Sequence, residues 1–221
     1  MKKFLLILLV LLLVAAGAAW VKRDAVIGML NVSRTRVEAT AEEKDVLGTT
    51  SKNGRKILVA YFSWGGNTRG VARSIHEKVG GDIFEIRTEK PYPDDYKTCV
   101  EAAKAEKAAN ARPALIGPLP DVSGYDLVLL GYPIWWYIEP MAVDTFVQSV
   151  KLDGVTVLPF ATSGTSSIKA SEERLRKLLP AAKFGPGLPA GAYHVYDYQF
   201  FFRNLQKNVA DRVNAWLAAQ R

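Results

Sequence analysis

The order of apolar and amphipathic stretches predicts an α/β fold, a doubly wound parallel sheet of five strands. Three observations carry that prediction. Short runs made almost wholly of apolar residues, at 57–62, 125–131 and 156–161, read as strands buried on both faces. Stretches with helical spacing of apolar residues separate them. Each of these apolar runs also gives way abruptly to a polar glycine-rich turn or to an aromatic one. Strand and helix alternate five times, which calls for a parallel sheet with helices on both faces.

The first strand, ILVAYF at 57–62, follows Asn53-Gly54 and is rich in β-formers. Val71, Ala72, Ile75 and Val79 then sit at helical spacing, placing a helix over about 68–79. Gly80-Gly81 ends it, and residues 82–87 alternate as a second strand with Ile83, Phe84 and Ile86. Beyond Pro91 and Pro93, Asp94 or Asp95 caps a long helix from about Tyr96 to Asn110. Cys99 lies within it and reads as packing rather than chemistry. The third strand spans 125–131, and Pro140 suits the first turn of a helix running to about Val150. The fourth strand spans 156–161. Ser171 reads as the cap of a helix over 172–179, stopped by Pro180. The fifth strand falls somewhere in 182–188, and Leu205, Val209, Val213 and Trp216 give a last helix one apolar stripe.

The segment around which the domain is organised is ILVAYFSWGGNTR, residues 57–69. A strand runs straight into Ser63, Trp64, Gly65, Gly66, Asn67 and Thr68, and then a helix begins. Adjacent glycines permit a tight turn and close approach of a ligand to the backbone. The unpaired N–H groups and positive dipole end of the helix suit a phosphate. There is no Gly-Lys-Ser/Thr ending and no set of three spaced glycines, so neither the NTPase loop nor the dinucleotide fingerprint is present. Ordinary strand-to-helix connections also carry Gly, Ser and Asn. In parallel sheets, however, ligands sit beyond the carboxyl ends of the strands, and two further loops leave those same ends. One is Tyr132-Pro133-Ile134-Trp135-Trp136-Tyr137, with four aromatics in six residues; the other is Thr162-Ser163-Gly164-Thr165-Ser166-Ser167. Adjacent Trp135 and Trp136 are expected to point opposite ways, one into the core and one towards a ligand.

The formal charge of the whole chain is +7. From Arg55 onward, 21 Lys+Arg stand against 17 Asp+Glu, interspersed without a basic block. No nucleic-acid motif accompanies them. A single cysteine excludes an internal disulfide and a cysteine-rich metal site, and with only His76 and His194 as histidines no metal centre is expected. Lys2 and Lys3 precede an unbroken apolar run over residues 4–21, followed by Lys22, Arg23 and Asp24. That length suits a membrane-spanning N-terminal hydrophobic helix, with a cleaved signal as the alternative, since Ala16-Gly17-Ala18 could serve a signal peptidase. Residues 1–23 are therefore read as a membrane anchor or signal segment, 24–54 as a linker, and 55–221 as the folded domain. A short anchor led by lysines places that domain outside the cytoplasm.

The stretch YFSWGGNTRGVA, residues 61–72, resembles the phosphate loop of the flavodoxin-like family, a hydroxyl-rich turn ending Gly-Asn-Thr. The resemblance extends to GYPIWW and PFATSG in the same order and covers roughly 55–218. It implies a sheet of order 2-1-3-4-5 and FMN as the cofactor. Under it Ser63, Trp64, Gly65, Gly66, Asn67 and Thr68 take the phosphate side, with Trp64 able to face the ring. Pro133, Ile134, Trp135, Trp136 and Tyr137, with Thr162, Ser163 and Gly164, flank the isoalloxazine. No side chain is required as acid, base or nucleophile, because the cofactor carries the electrons. His194 and Tyr193 lie past the core and take no catalytic role.

Two departures stand out. Thr165-Ser166 occupies a place where relatives often have a second glycine, and Tyr137-Ile138-Glu139 replaces a small-residue stretch, narrowing access to the ring edge. The basic surplus differs from the acidic surface of soluble flavodoxin carriers. The expected function is an FMN flavoprotein held at or exported across a membrane. It would transfer electrons to a redox partner or use NAD(P)H to reduce a small acceptor such as a quinone. The alternative is the same fold without flavin, kept as a membrane-attached binding module.

Overall fold

β1, Ile57–Phe62, is buried at every position, and this is why its sequence shows no polar alternation. A computed structural model of the chain describes residues 51, 54–163, 166–185, 187–192 and 218. After β1 come α1 (Asn67–Val79), β2 (Asp82–Ile86), α2 (Tyr96–Ala109), β3 (Leu127–Pro133), α3 (Met141–Ser149), β4 (Thr156–Ser163), α4 (Lys169–Leu178), β5 (Lys183–Phe184) and β6 (Leu188–Ala192). The sheet runs β2-β1-β3-β4-β5, with β6 also paired to β4. All these pairings are parallel.

Residue parity along the central strands decides which face a side chain joins. Leu58, Ala60 and Phe62 of β1, with Val128, Leu130 and Tyr132 of β3, pack with Ala142, Val143, Phe146 and Val147 of α3 and with Leu175 of α4. Ile57, Val59 and Tyr61, with Leu127, Leu129, Leu158 and Phe160, pack with Val71, Ala72 and Ile75 of α1. The odd and even members of one apolar run therefore serve two separate cores. Gly131 permits one close approach in the second core. A Cβ built there would stand 2.1 Å from Phe160 Cζ, because the Phe160 ring of the neighbouring strand lies over it.

Several boundaries differ from the sequence expectation, each for a physical reason. β3 continues through Tyr132 and Pro133, and β4 through Thr162 and Ser163, because the pairing persists to Pro133↔Thr162. Those four residues are strand ends, not loop. The fifth strand is interrupted. β5 pairs the start of β4 (Val157↔Phe184) and β6 its end (Phe160↔Leu188), so the strand reaches Ala192, four residues beyond the predicted span. The Gly185-Pro186-Gly187 sequence divides the two pieces. Ser171 is not a cap. α4 begins at Lys169 after Ile168, which makes no side-chain cap bond, and Ser171 is fully buried inside the helix. Asp95 does cap α2, accepting from Thr98 N at 2.9 Å. Pro140 is the residue just before α3 rather than within its first turn. Cys99 is buried. Among the described residues, no helix is long and apolar enough to cross a membrane. The apolar run at 4–21, nearly all of the linker, Tyr193, His194 and the last amphipathic stretch lie outside the described residues.

Candidate functional site

The first loop closes on its own serine. Ser63 Oγ accepts from Gly66 N at 3.2 Å and from Arg69 N at 3.3 Å. Gly66 stands at φ 87, a left-handed conformation that favours glycine, and the helix starts immediately after it. The N-cap residue Gly66 has no side chain to offer, and Ser63 serves the third amide of α1 from the turn. The amides of Asn67 and Thr68, in its first turn, are left without an acceptor among the described residues. Asn67 is exposed, and a Cβ built on Gly65 would meet nothing within 4 Å, so the turn is open on its outer side. Arg69, the cation of this turn, is already paired: Nη2 donates to Glu85 Oε1 at 2.5 Å and Nε to Oε2 at 3.2 Å. Tyr61 Oη donates to the same carboxylate at 3.3 Å, and burial pushes its hydroxyl above its ordinary range. The turn is thus a nearly neutral donor nest. Trp64 leans away from it, with Nε1 donating to Pro93 O at 2.9 Å and its ring 6.4 Å from that of Tyr96.

The second loop is a tight hairpin, not an extended aromatic strip. Trp135 N donates to Ile138 O at 2.8 Å and Ile138 N to Trp135 O at 3.1 Å. The two residues between them, Trp136 (φ 51) and Tyr137 (φ 73), are both left-handed. A two-residue turn needs positive φ there, and large L-residues adopt it at a cost of order 1–3 kcal/mol each. Contacts hold the strain in place. Trp136 Nε1 donates to Val100 O at 3.0 Å, Lys107 Nζ donates to Trp136 O at 2.7 Å, and Lys104 Nζ lies 5.4 Å from the Trp136 ring centroid. Trp135 turns inward, edge-on to Phe62 (centroids 5.5 Å apart) and to Tyr92 (5.0 Å). The two tryptophans do point opposite ways, Trp135 into the core and Trp136 outward, with Tyr137 68% exposed. Of Tyr137, Ile138 and Glu139 the first alone is exposed, and the other two are buried.

The three segments meet at Thr162. Its hydroxyl lies 2.8 Å from that of Thr68, which is itself buried, and its carbonyl accepts from Ile134 N at 2.9 Å. Pro133 pairs with it across the sheet. Ser163 Oγ accepts from Ser166 N at 2.7 Å, starting the third turn. Gly164 lies outside the described residues. One edge of the sheet thus gathers a neutral donor nest, an aromatic hairpin and a hydroxyl-bearing strand end. No cluster of metal-ligating side chains occurs among the described residues.

The sequence profile of flavodoxins matches residues 56–192. The chain belongs to the flavodoxin family. A protein of Bacteroides uniformis named as a flavoprotein is 33% identical over 72% of this chain and 98% of its own, with a TM-score of 0.61. One of Bacteroides eggerthii is 34% identical over 75% of this chain and 97% of its own, with a TM-score of 0.63. A flavoprotein of Lactobacillus acidophilus solved in complex with FMN is 23% identical over 61% and 92% of the two chains, with a TM-score of 0.55, and shares the fold. No curated protein matches.

In this flavodoxin the sequence reading missed a buried polar cluster directly behind the hairpin. Glu139 is 1% exposed, and Asp144 and Ser171 are 0% exposed. Arg174 Nη1 donates to Glu139, and its Nη2 donates to Asp144 Oδ2 at 2.5 Å. Ser171 Oγ donates to Glu139 Oε2 at 2.5 Å. Burial, reinforced by neighbouring Asp144, pushes the Glu139 carboxyl up to about 7. One signal was available: Glu139 is the single charged residue between Tyr132 and Val143. A carboxylate that is buried inside such a stretch needs a partner.

Proposed function

We propose that this protein is an FMN-binding flavoprotein that moves electrons between a donor and a small acceptor. What carries the reading is the nearly neutral start of α1, with its first two amides open, beside Thr162 and the aromatic hairpin, at the carboxyl edge of the sheet. A helix start with unsatisfied amides and no free cation suits one terminal phosphate rather than a polyphosphate with Mg²⁺. The donor set fits FMN. The amides of Asn67 and Thr68 and the Asn67 side chain would hold the phosphate. Pro133 to Tyr137 and Thr162 to Gly164 would flank the ring, with Tyr137 the most exposed of the described ones. Bound there, FMN would supply one- and two-electron chemistry. The apolar packing around Trp135 and Phe62 would exclude water from one side and disfavour a charged reduced ring.

The full chain is further proposed to be held at a membrane by residues 4–21, with the domain outside the cytoplasm. A reporter fused after Arg221 and active only in the cytoplasm would contradict this. The basic balance favours a tethered reductase or electron-transfer partner over a soluble acidic shuttle.

The phosphate assignment has its own test. Asn67→Ala should weaken FMN binding far more than riboflavin binding, because it removes the side-chain contact to the phosphate. Each hydrogen bond to that charged group contributes roughly 1.5–3 kcal/mol. Equal losses for the two ligands, read by fluorescence titration, would refute the loop's role.

A further inference from the structure

A buried chain of hydrogen bonds ties together the elements behind the proposed ring site. Ser171 Oγ donates to Glu139 Oε2 at 2.5 Å and stands 2.9 Å from Tyr132 Oη. A serine hydroxyl carries one proton, so Tyr132 donates to Ser171 and Ser171 to Glu139. The other oxygen of Glu139 accepts from Arg174 Nη1, and Arg174 reaches Asp144 through both nitrogens. Tyr132 precedes the aromatic hairpin and Glu139 leaves it. Ser171 and Arg174 sit on α4, which follows the third loop. The hairpin is therefore fixed at both its ends to the helix that carries the third loop's exit.

We propose that Glu139 is a positioning residue of the ring site: it holds the aromatic hairpin in register with α4, and its protonation state sets how well the site accepts an isoalloxazine ring. This rests on the flavin reading.

The groups facing Glu139 come from every element around it. They are Tyr132 of β3, Asp144 of α3, and Ser171 and Arg174 of α4. Arg112 Nη1 reaches Asp144 at 3.4 Å, while Glu172 is turned to Gly187 N. Two buried carboxylates thus compete for Arg174, with Arg112 reaching only the far one. A ring seated against the hairpin removes water from the same region and lowers its effective dielectric. That disfavours the ionised carboxyl further, so the proton is held more tightly in the complex than in the free protein. By linkage, affinity then falls as pH rises through and above about 7, where the free carboxyl ionises.

The test is a riboflavin titration of the full-length protein from pH 6 to pH 8.5. Riboflavin is used because it lacks the phosphate, whose own ionisation would enter an FMN titration. The Kd of the unaltered protein should rise about threefold to tenfold across that range, and Glu139→Gln should abolish the rise. A Gln variant that keeps the full pH dependence would overturn the proposal. Should that variant not fold, Ser171→Ala keeps the carboxyl but cuts its link to Tyr132. It should bind riboflavin several-fold more weakly and shift the midpoint of the pH dependence; unchanged affinity and midpoint would overturn the proposal as well. An unaltered protein that binds neither FMN nor riboflavin brings down the flavin reading together with this one. Binding whose affinity ignores pH brings down this one alone.

Discussion

Replacing Arg174 with Met should lower the unfolding free energy by about 3–5 kcal/mol, because it leaves two buried carboxylates without their shared counter-charge. Glu139 and Asp144 are 1% and 0% exposed, and Arg174 is the group that contacts both. Arg112 still reaches Asp144 at 3.4 Å, so Glu139 bears most of the loss. The sign of the pH dependence follows. A carboxyl whose folded-state pKa is raised, here to about 7, favours the protonated native form. Between the ordinary glutamate range and about 7 the native protein binds more protons than the unfolded chain, so stability falls as pH rises through that window. The penalty of Arg174→Met should accordingly be smaller at pH 5 than at pH 8, and adding Glu139→Gln should recover part of it. Urea denaturation at the two pH values measures this. A penalty under about 1 kcal/mol at pH 8 would show that the cluster is already neutral or hydrated.

The second large effect concerns the paired tryptophans. Trp135→Ala should cost about 3–5 kcal/mol of stability in the ligand-free protein, since it empties the space between Phe62 and Tyr92. Trp136→Ala should cost about 1 kcal/mol. It removes one hydrogen bond to Val100 and a partly exposed ring, and leaves a smaller residue at a strained φ of 51. Thermal and urea melting of the two variants, side by side, separates these expectations. Equal losses would mean that the outer ring is as much a part of the core as the inner one.

The legible parts of the chain were those where one physical demand dominated. β1, β3 and β4 are covered on both faces, so each appears as a continuous apolar run. Asp95 caps α2 by a bond to Thr98 three residues on, a local device with a local signature. The convergence of the three loops followed from parallel topology alone. What escaped depended on tertiary partners. Pro133 and Thr162 look like loop residues, yet they pair because β3 and β4 run on together. The fifth strand carries Gly185, Pro186, Gly187 and Pro189, which hide it, and its second half is held by β4. Ser171 has the composition of a cap but serves Glu139 from inside a helix. Trp136 and Tyr137 gave no hint of a left-handed turn, because neither is a residue that favours one. Polar side chains read as surface until the structure shows what surrounds them.

The central claim is that the carboxyl edge of this sheet holds FMN, and an equilibrium titration of the purified full-length protein with FMN tests it most directly. The account predicts a yellow complex of one FMN per chain, a Kd near or below about 1 µM, and quenching of both flavin and tryptophan fluorescence. A colourless protein that leaves FMN fluorescence unchanged at tens of micromolar would contradict it. The fold would then stand as a flavin-free binding module.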